Sequence, residues 1–252
     1  MFTSPFLAET GAMTRFAGRF FREGFRPRYE WRELLRQCYV IGCQSLTLVG
    51  VTGFIMGLVL TLRLRPTMVQ FGAESWIPTM VGLTIIREMG PIITALMVAG
   101  KVGSSIGAEL SSLRVTEQID AMEVSGTNPF KYLVVTRMLA ATLMVPVLNL
   151  LATFLGLAAA FLGVNLKGDT SLVMFVNTIV ARVTFGDVFS TVVKTMFFGF
   201  AIGLIGCYKG YYADNGTAGV GRAANSAVVM ASMMVFILDL LAVQVNNVLG
   251  LN

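Results

Sequence analysis

Thr84-Ile-Ile-Arg-Glu-Met-Gly-Pro-Ile-Ile-Thr94 sets a cation and an anion side by side, Arg87 and Glu88, inside an otherwise apolar run. Taking an ion out of water costs several kcal/mol or more, so neither a soluble core nor a lipid-facing helix accepts one without a partner. In a segment that crosses a bilayer such a pair marks a functional site by default. Whether this run crosses a bilayer therefore decides both the fold and the place to look for function.

The rest of the chain argues that it does. Of 252 residues, 55% are hydrophobic and 13% charged, against about 25% charged in soluble domains. A helix needs about 20 apolar residues to span a bilayer. Five stretches qualify: Val40 to Leu62, Ile77 to Val102 with Arg87 and Glu88, Met138 to Leu166, Val188 to Tyr208 with Lys194, and Ala227 to Val248 with Asp239. No repeat, low-complexity tract or linker divides them. The expectation is an all-α integral membrane protein with one domain over 1–252, in which 1–39 form an interfacial basic helix region and 40–252 the transmembrane bundle.

Before the first span, Arg15, Arg19, Arg22, Arg26, Arg28, Arg32 and Arg36 alternate with Phe16, Phe20, Phe21, Phe25 and Trp31. The first three arginines recur at helical steps, giving a basic face with aromatics around the rest. Such a helix lies in the headgroup plane; a solvated basic arm is the alternative. Pro27 is expected to end its first section. The apolar core and cleavage site of a secretory signal are not found here. The net charge of +5 comes mostly from this arm and points to a membrane surface, not to nucleic acid.

With no His and three Cys, no zinc-type ligand set can be assembled. The cysteines lack CxxC spacing. Cys43 and Cys207 fall in apolar runs and are expected as small packing residues. The pairs Gly53/Gly57, Gly103/Gly107 and Gly199/Gly203 permit close helix approach.

Basic residues in short loops orient the bundle. The arm, the stretch holding Lys101, Arg114, Lys131 and Arg137, and the loop with Lys209 and Arg222 share one face in a five-span chain. Arg63, Arg65, Lys167 and Arg182 mark the other. The excess puts the N-terminus in the cytoplasm and the tail Leu249-Asn252 outside. Between the fourth-helix start at Asp187 and Lys167, residues Leu172, Val173, Phe175, Val176, Ile179, Val180 and Val183 predict a short outer interfacial helix. On the cytoplasmic side, Arg114 to Glu123 is helix-like, with Thr116 as its cap and Ser125-Gly-Thr-Asn-Pro129 as its stop.

At about 1.5 Å per residue, Glu88, Lys194 and Asp239 lie about 16, 10 and 14 Å below the outer surface. Arg87, Glu88, Lys194 and Asp239 are thus expected as a balanced set of two positive and two negative charges. It either lines a cavity for a charged or zwitterionic headgroup or staples helices together.

Arg87-Glu-Met-Gly-Pro91, Ala99-Gly-Lys-Val-Gly-Ser-Ser105, Gly107-Ala-Glu109 and Thr116-Glu-Gln-Ile-Asp-Ala-Met-Glu123, with Asn128-Pro129 and Arg137, closely resemble the MlaE family. Its members are permease subunits of ATP-driven lipid transporters in the MCE-linked systems of Gram-negative envelopes and their plastid relatives. The likeness covers nearly the whole chain. It departs at Thr136, where the family often has Pro, and a local change at the start of the third helix is expected.

The resemblance implies a homodimeric permease in the bacterial inner membrane. Its partners would be a cytoplasmic ABC ATPase (MlaF-like), a periplasmic hexameric MCE protein (MlaD-like) and, in many systems, a STAS-domain protein (MlaB-like). Phospholipid would be the substrate, moved so as to maintain outer-membrane lipid asymmetry. ATP and Mg2+ would sit on the ATPase, with no cofactor in this chain. By the same resemblance, Glu117, Gln118, Asp120, Met122 and Glu123 belong to a coupling helix between the second and third spans. Arg87, Glu88, Lys194 and Asp239 lie near the lipid cavity, and Leu60, Met68 and Phe71 are candidate acyl-chain contacts.

The chain carries no GxxxxGK[ST] loop, and Gly100-Lys101 lacks the upstream glycine and follows a membrane helix. Energy must therefore come from a partner or a gradient. The rival classes are a proton-coupled transporter or channel relaying through Glu88 and Asp239, and a structural anchor for a membrane complex. An enzyme is disfavoured, since no nucleophile–base pair can be named.

Overall fold

Apolar residues at helical periodicity fill the chain, and a computed structural model contains helices only among the described residues, 3–24, 30–166, 170–214 and 216–249. Phe25, Arg26, Pro27, Arg28, Lys167 and the tail beyond 249 lie outside them. Five helical stretches are long and apolar enough to cross a membrane.

The first span is α2 (Trp31–Gln70). The second, Glu74–Val115, is built from α3 (Ile77–Thr84), α4 (Gly90–Val98) and α5 (Ser104–Val115), joined by π-helical turns at Ile85–Met89 and Ala99–Gly103. The short α6 (Gln118–Val124) follows. The third span opens with a π-helical turn, Phe130–Val135, and continues as α7 (Thr136–Asn165). After α8 (Leu172–Val180) come the fourth and fifth spans, α9 (Phe185–Tyr211) and α10 (Thr217–Leu249). Before them all lies α1 (Thr3–Gly24).

The first span outruns its apolar centre, continuing through Arg63, Arg65 and Pro66 to Gln70. At 40 residues, α2 is about 60 Å long, twice the hydrocarbon thickness, so its ends stand clear of the bilayer core. Thr136 is inside the third span, not at its start; its Oγ1 donates to the Tyr132 carbonyl at 2.6 Å.

On α1, Met13, Phe16 and Phe20 turn inward at helical spacing and join the main core, while Arg15 and Arg22 stay exposed. This is the pattern of a helix lying along the bundle surface. Packed on α3 through Phe175 and Ile179, α8 is capped by Ser171, whose Oγ accepts the Met174 amide.

The seams between spans explain the glycines. A Cβ on Gly53 would stand 2.7 Å from the Ala152 carbonyl oxygen, and one on Gly199 would stand 2.5 Å from that of Ala141. Backbone thus meets backbone where α7 packs on α2 and on α9. Gly103 has room, with its nearest such atom 3.8 Å away. Cys207 is buried, but Cys43 is exposed. The inward face of α2 is set by Gly42, Val49, Gly53 and Gly57, and Cys43 points outward from it instead of packing.

Candidate functional site

The Arg87–Pro91 motif shapes its own backbone. Pro91 has no amide hydrogen to return to the Arg87 carbonyl. The turn before it widens, and Gly90 N–H donates to the Ile85 carbonyl in π fashion. Two carbonyls of this turn then accept from α9: Ile86 from Thr191 Oγ1 at 3.1 Å and Arg87 from Lys194 Nζ at 3.4 Å. Gly90 itself faces α7, where an added Cβ would meet Thr153 Oγ1 at 2.9 Å and Asn149 Oδ1 at 3.4 Å. The motif is a wide turn clasped from both sides by polar side chains.

Glu88, Lys194 and Asp239 do converge. Lys194 Nζ lies 3.1 Å from Glu88 Oε2 and 2.6 Å from Asp239 Oδ1, with only 4% of its side chain exposed. The Asp239 contact is an ion pair without hydrogen-bond alignment. Arg87 joins a different partner: its Nη2 donates to Asp187 Oδ2 at 3.1 Å, and its Nε lies 2.9 Å from Oδ1, again off the hydrogen-bonding direction.

The balanced set of four is therefore corrected to two linked groups, Arg87–Asp187 and Glu88–Lys194–Asp239, with three carboxylates to two cations. Adjacent residues on a helix point about 100° apart. Arg87 and Glu88 thus reach α9 at positions seven residues, or two turns, apart. Asp187 is the residue that sequence reasoning passed over. It also closes a capping box, accepting from the Thr184 amide at 2.8 Å and hydroxyl at 2.7 Å. The Thr184-Phe-Gly-Asp187 spacing could have flagged it.

Beside this cluster the seam between α9 and α10 opens into an apolar groove of about 500 Å³. Met196, Phe197, Phe200 and Leu204 of α9 face Met234 and Leu238 of α10 across it, and Phe21 of α1 closes one end. A further compartment of about 250 Å³ shares Val193, Phe197 and Leu238 and reaches Lys194 and Asn246. The result is a long apolar trough with charge at one end, a shape that suits an amphiphile.

Leu60, Met68 and Phe71 do not line this trough. Leu60 and Met68 pack against the Ile77, Val81 and Ile179 cluster, and Phe71 ends α2 with 78% exposure.

The helix-like segment after Arg114 also differs from expectation. α5 continues through Val115, so Thr116 caps nothing ahead of it; its hydroxyl donates back to the Ser112 carbonyl at 2.8 Å. Glu117 then turns the chain with a left-handed φ of 56°, and α6 begins. Ile119 is buried and Met122 half-buried, while Gln118, Asp120 and Glu123 project. Arg114 Nη1 donates to Asp120 Oδ1 at 2.7 Å. At the start of the third span, Asn128 Oδ1 accepts the Lys131 amide and its Nδ2 donates to Glu23, both at 3.2 Å. Arg137, 2% exposed, holds Glu109 at 2.7 Å.

Five helical stretches long and apolar enough to span a membrane, with a first helix packed along their surface, define a polytopic membrane protein. The sequence pattern described as Permease MlaE matches residues 34–245, and the chain belongs to that family. A probable ABC transporter permease protein of Rickettsia felis is 39% identical over 235 residues, covering 93% of this chain and 91% of its own. One from Synechocystis is 33% identical over 220 residues, covering 87% and 84%. The intermembrane phospholipid transport system permease protein MlaE of Haemophilus influenzae is 32% identical over 208 residues, covering 82% and 79%. The chain is thus an ABC-type permease, a multi-pass protein of the inner membrane.

Proposed function

We propose that this chain is the non-catalytic membrane subunit of an ATP-driven transporter that moves phospholipid between the inner membrane and a periplasmic MCE protein. In doing so it would sustain outer-membrane lipid asymmetry. The observation that carries this reading is the apolar trough between α9 and α10 that ends on Lys194. Its Phe, Met and Leu walls suit acyl chains, and the charged end suits a headgroup. The intermembrane phospholipid transport role of the Haemophilus influenzae relative supports it. The acyl-contact role of Leu60, Met68 and Phe71 rests on the resemblance alone.

The remaining parts of the assembly follow. A homodimer fits α10, of whose most apolar stretch only 17% is buried inside the chain, against 33–50% for the other spans. A cytoplasmic ATPase carrying ATP and Mg2+ would dock on α6, where Gln118, Asp120 and Glu123 project and Ile119 and Met122 root the helix. Glu117 sets its angle. The N-terminus would then lie in the cytoplasm and the C-terminus in the periplasm, with a STAS-domain protein as an optional addition. The whole of 1–252 acts as one permease domain.

The experiment is co-purification with the neighbouring gene products, mass spectrometry of bound lipid, and transfer assays in vesicles. Phospholipid should be retained by the wild type and lost from Ala201→Trp, which fills the groove. A complex that carries no lipid, or transfers it at full rate without the ATPase, defeats the reading. The excess of carboxylates over cations supports a second reading, proton coupling; proton flux through the isolated protein would favour it.

A further inference from the structure

A second pocket lies at the other end of the bundle, outside the trough. It holds about 440 Å³ and is lined by Ala12, Arg15, Phe16, Arg19, Tyr208 and Tyr212. We infer that it is a headgroup site for an anionic phospholipid in the leaflet that bathes α1, distinct from the transported lipid. The inference depends on the membrane placement of α1 and not on transport.

The chemistry is that of a phosphate receptor. Arg15 and Arg19 stand one turn apart on the same helix, and among the described residues neither has a carboxylate partner. The Arg19 guanidinium is held 4.2 Å over the Phe130 ring, which positions it without neutralising it. Glu9, the nearby carboxylate, is already engaged by Lys209. Among the described residues the pocket therefore keeps two guanidiniums without a carboxylate ion-pair partner, the group best suited to phosphate oxygens.

Its floor is rigid. The buried Phe16 ring packs edge-on against Phe130 at 5.0 Å, Tyr208 at 5.6 Å and Tyr212 at 5.8 Å. The two phenol hydroxyls have no partner among the described residues and supply neutral donors, as tyrosines do at a membrane interface.

The surroundings select a lipid over a free anion. A lipid whose phosphate sits between Arg15 and Arg19 finds apolar surface beside it in Ala12, the Phe16 ring and the faces of Tyr208 and Tyr212; a free phosphate gains nothing from it.

The test uses the full chain in phosphatidylcholine nanodiscs doped with a photoactivatable phosphatidylglycerol, with labelled peptides mapped by mass spectrometry. Labelling should concentrate on the peptides holding Arg15 to Arg19 and Tyr208 to Tyr212. A phosphatidylcholine probe should label them much less. The Arg15→Gln/Arg19→Gln variant should cut labelling there by about thirtyfold, from the worth of two basic groups at an anionic surface. Glu9→Gln frees Lys209 and should raise it severalfold, a change that misfolding of α1 would not produce. Equal labelling by both probes, no loss in the arginine variant, a fall in Glu9→Gln, or displacement of the label by inorganic phosphate would each overturn the proposal.

Discussion

Two charge clusters, one beneath α8 and one at α6, treat charge in opposite ways. At the α8 end, Lys194 and Asp187 are almost wholly buried, and each holds a partner delivered by the second span. At the α6 end, Arg114 and Asp120 pair in the open, with side chains 40% and 56% exposed. The first arrangement depends on neighbours, because an ion stripped of water has no alternative partner. The second is nearly indifferent to its neighbours, because water substitutes for either ion. Burial makes a charge part of the architecture; exposure leaves it available to something outside the chain.

Breaking that contrast starts at its strongest point. Lys194→Met leaves Glu88 and Asp239 without their shared cation. It should destabilise the protein by about 3–5 kcal/mol, read as a lowered unfolding midpoint in detergent. Adding Asp239→Asn should recover part of that loss, since the two residues touch; strictly additive damage would show that they do not act together.

Asp187→Asn is expected to cost less, about 1–2 kcal/mol. Asparagine keeps a capping oxygen but gives up the charge that holds Arg87. The same thermal scan checks it. At the open end, Glu117→Gly relieves a left-handed residue and should stabilise the fold by about 1 kcal/mol, while reducing ATP-dependent lipid transfer if α6 is the docking element. Arg114→Gln should change stability by about 0.5 kcal/mol or less. A large effect there would erase the distinction between the two clusters.

Much of this arrangement was legible in the chain. Five apolar runs gave five spans, and depth arithmetic along three helices brought Glu88, Lys194 and Asp239 to one level. The glycines at 53, 57, 199 and 203 marked seams. What escaped notice depended on local hydrogen bonding that hydropathy does not register. Asp187 sits at a helix start, where an acid has a local reason to be, and so it drew no attention as a partner for Arg87. The wide turn at Ile85–Met89 rests on the Ile86 and Arg87 carbonyls accepting from Thr191 and Lys194 of α9, and at the next one Lys101 donates to the Gln44 carbonyl of α2. The trough needed the pairing of α9 with α10, which no spacing within either helix records.

Where α2 meets α7 at Gly53 and Gly57, the carbonyl oxygens of Ala152 and Gly156 crowd the glycines, and no side chain stands between. Such a joint has no rotamers to change and no slack to absorb a shear, so the two long helices behave as one stiff plank. The α9–α10 face is the reverse, a soft join padded with methionine and phenylalanine. Whatever work a partner performs on this protein must therefore deform the padded side while the plank stays still.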